Sequence, residues 1–200
     1  SKQIICIVGL AVRQLKKYRE NRSVKAIVLR VDSPGGGVAA SQEIYEEVKK
    51  TREQKPVVVS MGSVAASGGY YVSCGATRIV ANPGTLTGSI GVIMNFLHFE
   101  ELKNKIGVDE TTVKSGKLKD AGSPFRKLTD EEEKYFNYLV GDVYNQFVDV
   151  VVQERKLPRQ KVLQNADGRV FTGKQAYAIG FVDTLGTFED AISIAADLSG

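Results

Sequence analysis

The reading of this chain is decided at Pro56-Val57-Val58-Val59-Ser60-Met61-Gly62-Ser63-Val64-Ala65-Ala66-Ser67-Gly68-Gly69-Tyr70-Tyr71. The β-branched run from Val57 to Met61 reads as a buried strand, which Gly62-Ser63 is expected to end. Small residues then lead to Ser67. Gly68-Gly69 let another backbone or a substrate approach closely, and residues 70–76 continue as a helix. A serine so placed has its hydroxyl at a helix N-terminus, where free N–H groups and the positive end of the dipole favour developing negative charge. Two readings follow: Ser67 is a nucleophile beside an oxyanion site, or it only caps the helix, since serine is a preferred N-cap.

Outward from that stretch, strands and helices alternate. Residues 3–8 read as a strand and residues 10–22 as an amphipathic helix with Leu10, Ala11, Leu15 and Tyr18 near one face. Residues 25–31 form a second buried strand, closed by Asp32-Ser33-Pro34-Gly35-Gly36-Gly37, and residues 38–54 repeat Ala40, Ile44 and Val48 at helical spacing. Downstream, residues 78–81 are expected as a strand, Asn82-Pro83-Gly84 as a turn and residues 89–96 as a strand. Residues 100–106 read as a short helix, residues 110–113 as a strand, and residues 115–128, rich in Gly, Lys and Pro, as a loop. Thr129-Asp130-Glu131-Glu132 is a capping box opening a long helix to about Lys156, with Phe136, Leu139, Val143, Phe147 and Val150 on one stripe. After Pro158, Asn165-Ala166-Asp167-Gly168 turns the chain. Thr172-Gly173-Lys174-Gln175 caps a helix stopped by Gly180, and a final helix spans residues 188–198. The alternation implies an α/β fold with a largely parallel sheet.

Two hundred residues, 42% apolar and 25% charged, describe one soluble domain able to bury a core without metals or disulfides. A single catalytic domain over residues 1–200 is expected. Cys6 and Cys74 sit in apolar stretches without metal-ligand spacing and read as buried free thiols. The net charge of +4 comes from scattered Lys and Arg, which speaks against nucleic-acid binding. No apolar run approaches the roughly 20 residues that cross a bilayer. The first residue is Ser1 rather than Met, so the chain is expected to be a fragment of a longer protein.

Asp32-Ser33-Pro34-Gly35-Gly36-Gly37 and Ser67-Gly68-Gly69 match neither phosphate-binding fingerprint, G-x-G-x-x-G or G-x-x-x-x-G-K-[ST]. Both present backbone N–H groups at the same end of a parallel sheet, where open α/β folds build their sites. Acyl transfer needs such donors at its oxyanion, although a glycine loop that merely turns the chain is the plainer alternative. A nucleophilic serine also needs a base. The single histidine, His98, lies among Phe96, Leu97 and Phe99 and reads as a partly buried structural residue. Lysine is the alternative base. Lys114, Lys117 and Lys119 crowd one loop, which by itself could be no more than a solvated basic segment. Lowering a lysine pKa from about 10.4 to near neutrality requires burial or another cation nearby. In an extended loop Lys117 and Lys119 point the same way, so spacing does not choose between them.

Four ordered motifs together resemble the bacterial and archaeal signal peptide peptidase family of serine proteases. They are Asp32-Ser33-Pro34-Gly35-Gly36, Ala65-Ala66-Ser67-Gly68-Gly69-Tyr70-Tyr71, Leu86-Thr87-Gly88-Ser89-Ile90-Gly91-Val92 and Lys114-Ser115-Gly116-x-x-Lys119-Asp120. Gly168-Arg169-Val170-Phe171-Thr172-Gly173 and Gly180-Phe181-Val182-Asp183 extend the resemblance over nearly the whole chain. It implies an α/β layered fold of the Clp-protease and crotonase type, built from repeated β-β-α units. It also implies a Ser-Lys dyad: Ser67 as nucleophile, Lys119 as general base, and Ser89 as the hydroxyl that holds the base amine. Gly36 and Gly68 would supply the oxyanion-hole N–H groups, with no metal and no cofactor. The implied substrates are remnant signal peptides with small or apolar side chains at the cut. The implied setting is a homo-oligomeric ring, membrane-anchored through a segment absent here, with the catalytic domain extracytoplasmic; whether Ser67 and Lys119 come from one subunit or from neighbouring ones is left open. The sequence departs from the family in lacking the hydrophobic anchor and in the short turn at Gly9. A crotonase-type acyl-CoA enzyme and a non-catalytic oligomeric scaffold are the rival readings.

Overall fold

The computed structural model describes residues 7–200, and the expected strand at residues 3–8 lies almost wholly outside them. Ile7 and Val8 instead begin helix α1, Ile7–Glu20. In chain order there follow β1 Ile27–Ser33, α2 Val38–Arg52, β2 Val57–Ala66, α3 Gly68–Cys74, β3 Arg78–Ala81, β4 Leu86–Gly88, α4 Glu100–Lys105 and α5 Asp130–Arg155. The chain closes with α6 Arg159–Leu163, β5 Val170–Thr172, α7 Gly173–Ile179, β6 Thr184–Leu185 and α8 Phe188–Ser199. Two compact units result: residues up to 91 together with 146–200, and residues 92–145.

The first unit is layered α/β with a largely parallel sheet. Its axis is β2, and only β5, antiparallel to β4, breaks the parallel arrangement. Val58 pairs with both Val28 and Arg78, and Ala65 with both Ser33 and Thr87. β1 therefore follows one edge of β2, while β3 and then β4 follow the other. Val57, Val58, Val59, Met61, Ile79 and Val80 are fully buried. Such a run, apolar without alternation, is what a strand covered on both faces requires. Val58 and Val80 meet Ala191 and Ala195 of α8, while α2 and α3 also pack against β2. Each buried Val contributes about 1.5–3 kcal/mol.

β2 does not end at Gly62 as its glycine suggests. Val31 pairs with Met61 but Ser33 with Ala65, so β2 carries two extra residues at Gly62-Ser63. The Asp32 carboxylate covers the irregularity by accepting from the Val64 N–H at 3.0 Å. A Cβ at position 62 would lie 2.5 Å from Cγ of Asp32, so the glycine makes room for that carboxylate.

The capping boxes are present at Thr129/Glu132, Thr172/Gln175 and Thr187/Asp190. Residues 89–96 and 110–113 are not strands. Their β-branched composition has no ladder to join among the described residues, and Ile93 and Val113 are 78% and 94% exposed. Cys74 is a buried free thiol, and burial pushes its pKa up to about 12; Cys6 lies outside the described residues. Among those residues no helix is long and apolar enough to cross a membrane.

Candidate active site

Ser67 follows the last residue of β2 and precedes α3 with φ 51° and ψ −119°. Residues with a side chain avoid this region, at a cost of about 1–3 kcal/mol. Two backbone bonds hold it there: its N–H donates to the Gly88 carbonyl at 2.8 Å, and its carbonyl accepts from the Tyr71 N–H at 2.9 Å. The side chain makes no capping bond, which corrects the reading of Ser67 as a simple N-cap. The sharp strand-to-helix turn thus carries a half-buried serine whose side chain is not spent on capping the helix it precedes. Among the described residues that hydroxyl has no hydrogen-bond partner.

The first glycine loop closes directly on this turn. Gly35 has φ 118°, and a Cβ there would lie 2.8 Å from Cβ and 3.1 Å from Oγ of Ser67. A Cβ on Gly68 would lie 3.2 Å from the Gly36 nitrogen and 2.4 Å from Oγ of Ser41. The Gly36 and Gly68 amides are thus brought together beside Ser67, and neither has an acceptor among the described residues. Uncommitted backbone donors converging next to a hydroxyl suit an anion that develops on an attacked carbonyl. Gly35, which the sequence reading left without a role, makes this closeness possible. Three consecutive glycines do not reveal which one bears the contact.

Ser89 reaches the same place through the sheet. It follows the carbonyl that receives the Ser67 N–H, and it too has a left-handed backbone, φ 50°. Its own N–H donates to the Arg169 carbonyl at 2.8 Å, and the Gly168 N–H donates to Ile90 at 3.0 Å. The Gly168-to-Gly173 motif thereby anchors the segment that carries Ser89.

Beside these glycines, a cleft of about 410 Å³ is lined by Leu29, Val31, Ala40, Ile44 and Val72 together with Gly36 and Gly68. Its wall is largely apolar.

Lys119 belongs to the second unit, whereas Ser67, Ser89, Gly36 and Gly68 belong to the first. It is exposed, in a series of turns where its N–H donates to the Gly116 carbonyl at 3.1 Å. The three lysines of this loop differ in their engagement. Lys114 lies 2.5 Å from the Asp120 carboxylate, and Lys117 pairs with Glu131. The Lys119 ammonium has no partner among the described residues. His98 is exposed rather than partly buried, and its Nδ1 donates to the Arg126 carbonyl at 3.0 Å.

The model of peptidase family S49 matches residues 49–200, and that of Clp protease matches residues 7–85. A Synechocystis sp. protein named as a protease is 47% identical over 190 residues, covering 95% of this chain and 69% of that protein. An Enterococcus faecium protein named as a signal peptide peptidase is 44% identical over 180 residues, 90% of this chain and 52% of its own length. The chloroplastic serine protease SPPA of Arabidopsis thaliana is 40% identical over 185 residues, 92% of this chain and 27% of that protein.

Proposed function

The chain belongs to peptidase family S49, and we propose that it is a serine endopeptidase in which Ser67 and Lys119 form the catalytic dyad. Oγ of Ser67 attacks the scissile carbonyl carbon while its proton passes to Nζ of Lys119. The tetrahedral oxyanion accepts from the Gly36 and Gly68 N–H groups, each donor worth about 3 kcal/mol to the transition state. Collapse breaks the C–N bond, and the leaving amine takes the proton back from Lys119. Water then attacks the Ser67 ester and gives a proton to Lys119, and the ester C–O bond breaks as Lys119 returns that proton to Oγ of Ser67. Ser89 accepts a hydrogen bond from the Lys119 amine and holds it toward Ser67. The observation that carries this reading is the strained Ser67 backbone, beside which the Gly36 and Gly68 amides come together, with neither the hydroxyl nor the two amides bonded among the described residues.

The same proposal extends to substrate and setting. The apolar cleft beside Gly36 and Gly68 favours small or apolar side chains at the cut, as in remnant signal peptides. The second unit exposes Ile93, Leu97, Ile106 and Val113, each at least 66% accessible, which favours assembly into a homo-oligomeric ring. The dyad is then completed across a subunit boundary, where the exposed Lys119 is withdrawn from water. The catalytic domain acts on the extracytoplasmic side of a membrane to which the full-length protein is anchored.

The test is a serine-directed acylating probe followed by mass measurement and location of the modified residue, on wild type, Lys119→Ala and Lys117→Ala. Labelling of Ser67 that is lost in Lys119→Ala and retained in Lys117→Ala is expected. Equal labelling in all three would remove Lys119 from the mechanism.

A further inference from the structure

Residues 114–132 of the second unit contain a network of charged groups built around the residue that follows Lys119. The Arg126 guanidinium grips Glu132 with both ends of its fork, Nη1 to Oε2 at 2.7 Å and Nη2 to Oε1 at 2.5 Å. Glu132 is 2% exposed and also accepts from the Thr129 N–H at 2.9 Å, so the capping box of α5 fixes it. From this anchored position, Nη2 of Arg126 reaches the Asp120 carbonyl at 3.2 Å and the Asp120 carboxylate at 3.1 Å. The other carboxylate oxygen is taken by Lys114 at 2.5 Å, and Lys114 also donates to the Lys117 carbonyl at 3.1 Å. The backbone on both sides of Lys119 is therefore tied, at Lys117 and at Asp120, while the Lys119 ammonium stays outside the network.

Such wiring is more than a solvated loop needs. An isolated surface ion pair contributes little, but a planar fork held by a buried carboxylate has a defined direction. The Lys114 ammonium and then the Arg126 guanidinium hold the Asp120 carboxyl down to about 2, and Arg126 with the Thr129 N–H does the same for Glu132, so both are ionised throughout the neutral range. Asp120, engaged by two cations, is not available to bind the Lys119 ammonium as a counter-ion.

We propose that Arg126, oriented by Glu132 and acting through Asp120, is a positioning residue for Lys119. It fixes the course of the loop on which Lys119 is presented and sequesters the adjacent carboxylate. This rests on the assignment of Lys119 as the general base.

The test measures kcat and KM on a peptide substrate for Arg126→Ala, Arg126→Lys and Lys119→Ala, with active sites counted by the acylating probe taken to completion. Arg126→Ala is expected to lower kcat per titrated site about 30-fold with KM changed less than about 2-fold, as a misplaced catalytic group does. Arg126→Lys restores part of that loss, because one ammonium cannot make all the contacts of the fork. A merely structural role would lower the number of titrated sites and leave kcat per site unchanged. That outcome, alongside an inactive Lys119→Ala, overturns the inference while sparing the dyad. An active Lys119→Ala overturns both. If Arg126→Ala does not fold, Asp120→Asn carries the same test: it keeps the size and the carbonyl contact, and an unchanged kcat per site overturns the positioning role.

Discussion

The N–H of Ser67 donates to the carbonyl oxygen of Gly88 at 2.8 Å, so the serine is held by a neighbouring strand while its own hydroxyl takes no part in holding it. Removing that hydroxyl leaves both backbone bonds in place. Ser67→Ala is expected to lower kcat/KM by at least about 10³-fold with an unchanged thermal midpoint. Ser67→Gly should be equally inactive and no less stable than Ser67→Ala, because glycine adopts φ 51° without strain. Calorimetry beside a peptide-hydrolysis assay checks both. A folded Ser67→Ala that still cleaves at the normal rate would end the nucleophile assignment.

Adjacent glycines in the first loop should respond differently to the same methyl group. Gly35→Ala forces a left-handed residue with Cβ 2.8 Å from that of Ser67, and a loss of about 2 kcal/mol or more is expected. At Gly36 nothing lies within 4 Å of the added atom. Gly36→Ala keeps the N–H and should cost less than about 1 kcal/mol and less than about 10-fold in activity. Urea unfolding midpoints of the two variants separate them, and equal losses would contradict the close approach at Gly35.

Acid should loosen the loop that carries Lys119. Asp120 and Glu132 sit at about 2, below the unfolded values of roughly 3.9 and 4.3, because Lys114 and Arg126 favour the charged forms. A folded pKa below the unfolded one means that the stabilisation is complete above the unfolded value and is lost as pH falls toward 2. Amide exchange over residues 114–132, corrected for its intrinsic pH dependence, should show protection falling between about pH 5 and pH 2. Glu132→Gln should reduce that dependence. Protection that rises on acidification would refute the ion-pair account.

Complementation tests the shared dyad. Inactive Ser67→Ala and inactive Lys119→Ala subunits, refolded together, should regain part of the wild-type activity, since some boundaries pair an intact serine with an intact lysine. Activity of the wild type should also rise with protein concentration. If the subunits demonstrably mix and nothing returns, each subunit must carry its own dyad or use another base.

The long or strongly patterned elements were legible in the sequence, each for a local reason. α5 announced itself by Thr129/Glu132 and a single apolar stripe, α7 by Thr172/Gln175 and Gly180, and β2 by its run of valines. β4, β5 and β6 have three, three and two residues, too few to show a period, and exist only because partners lie beside them. Strand-like residues 89–96 failed for the opposite reason, having a strand's composition and no neighbour. The site was legible as motifs rather than as geometry. The left-handed backbones of Ser67 and Ser89 leave no mark in composition, because they are imposed by Gly88, Arg169 and Gly35 from elsewhere in the chain. Arg126 was invisible as well: its partners Asp120 and Glu132 lie six residues away on either side, a separation that no helical or strand spacing singles out.

The Asp32 carboxylate, by covering the two extra residues of β2, lets one strand change neighbours partway along its length. Upstream of that joint, β2 is bonded to β3 and lies within the valine core; downstream it is bonded to β4 and ends at the serine turn. Substitutions upstream are therefore expected to act on the stability of the core, and substitutions at the downstream end on the geometry of the Ser67 turn. The foundation and the turn are separate segments of a single strand, so each can be perturbed while the other is left in place.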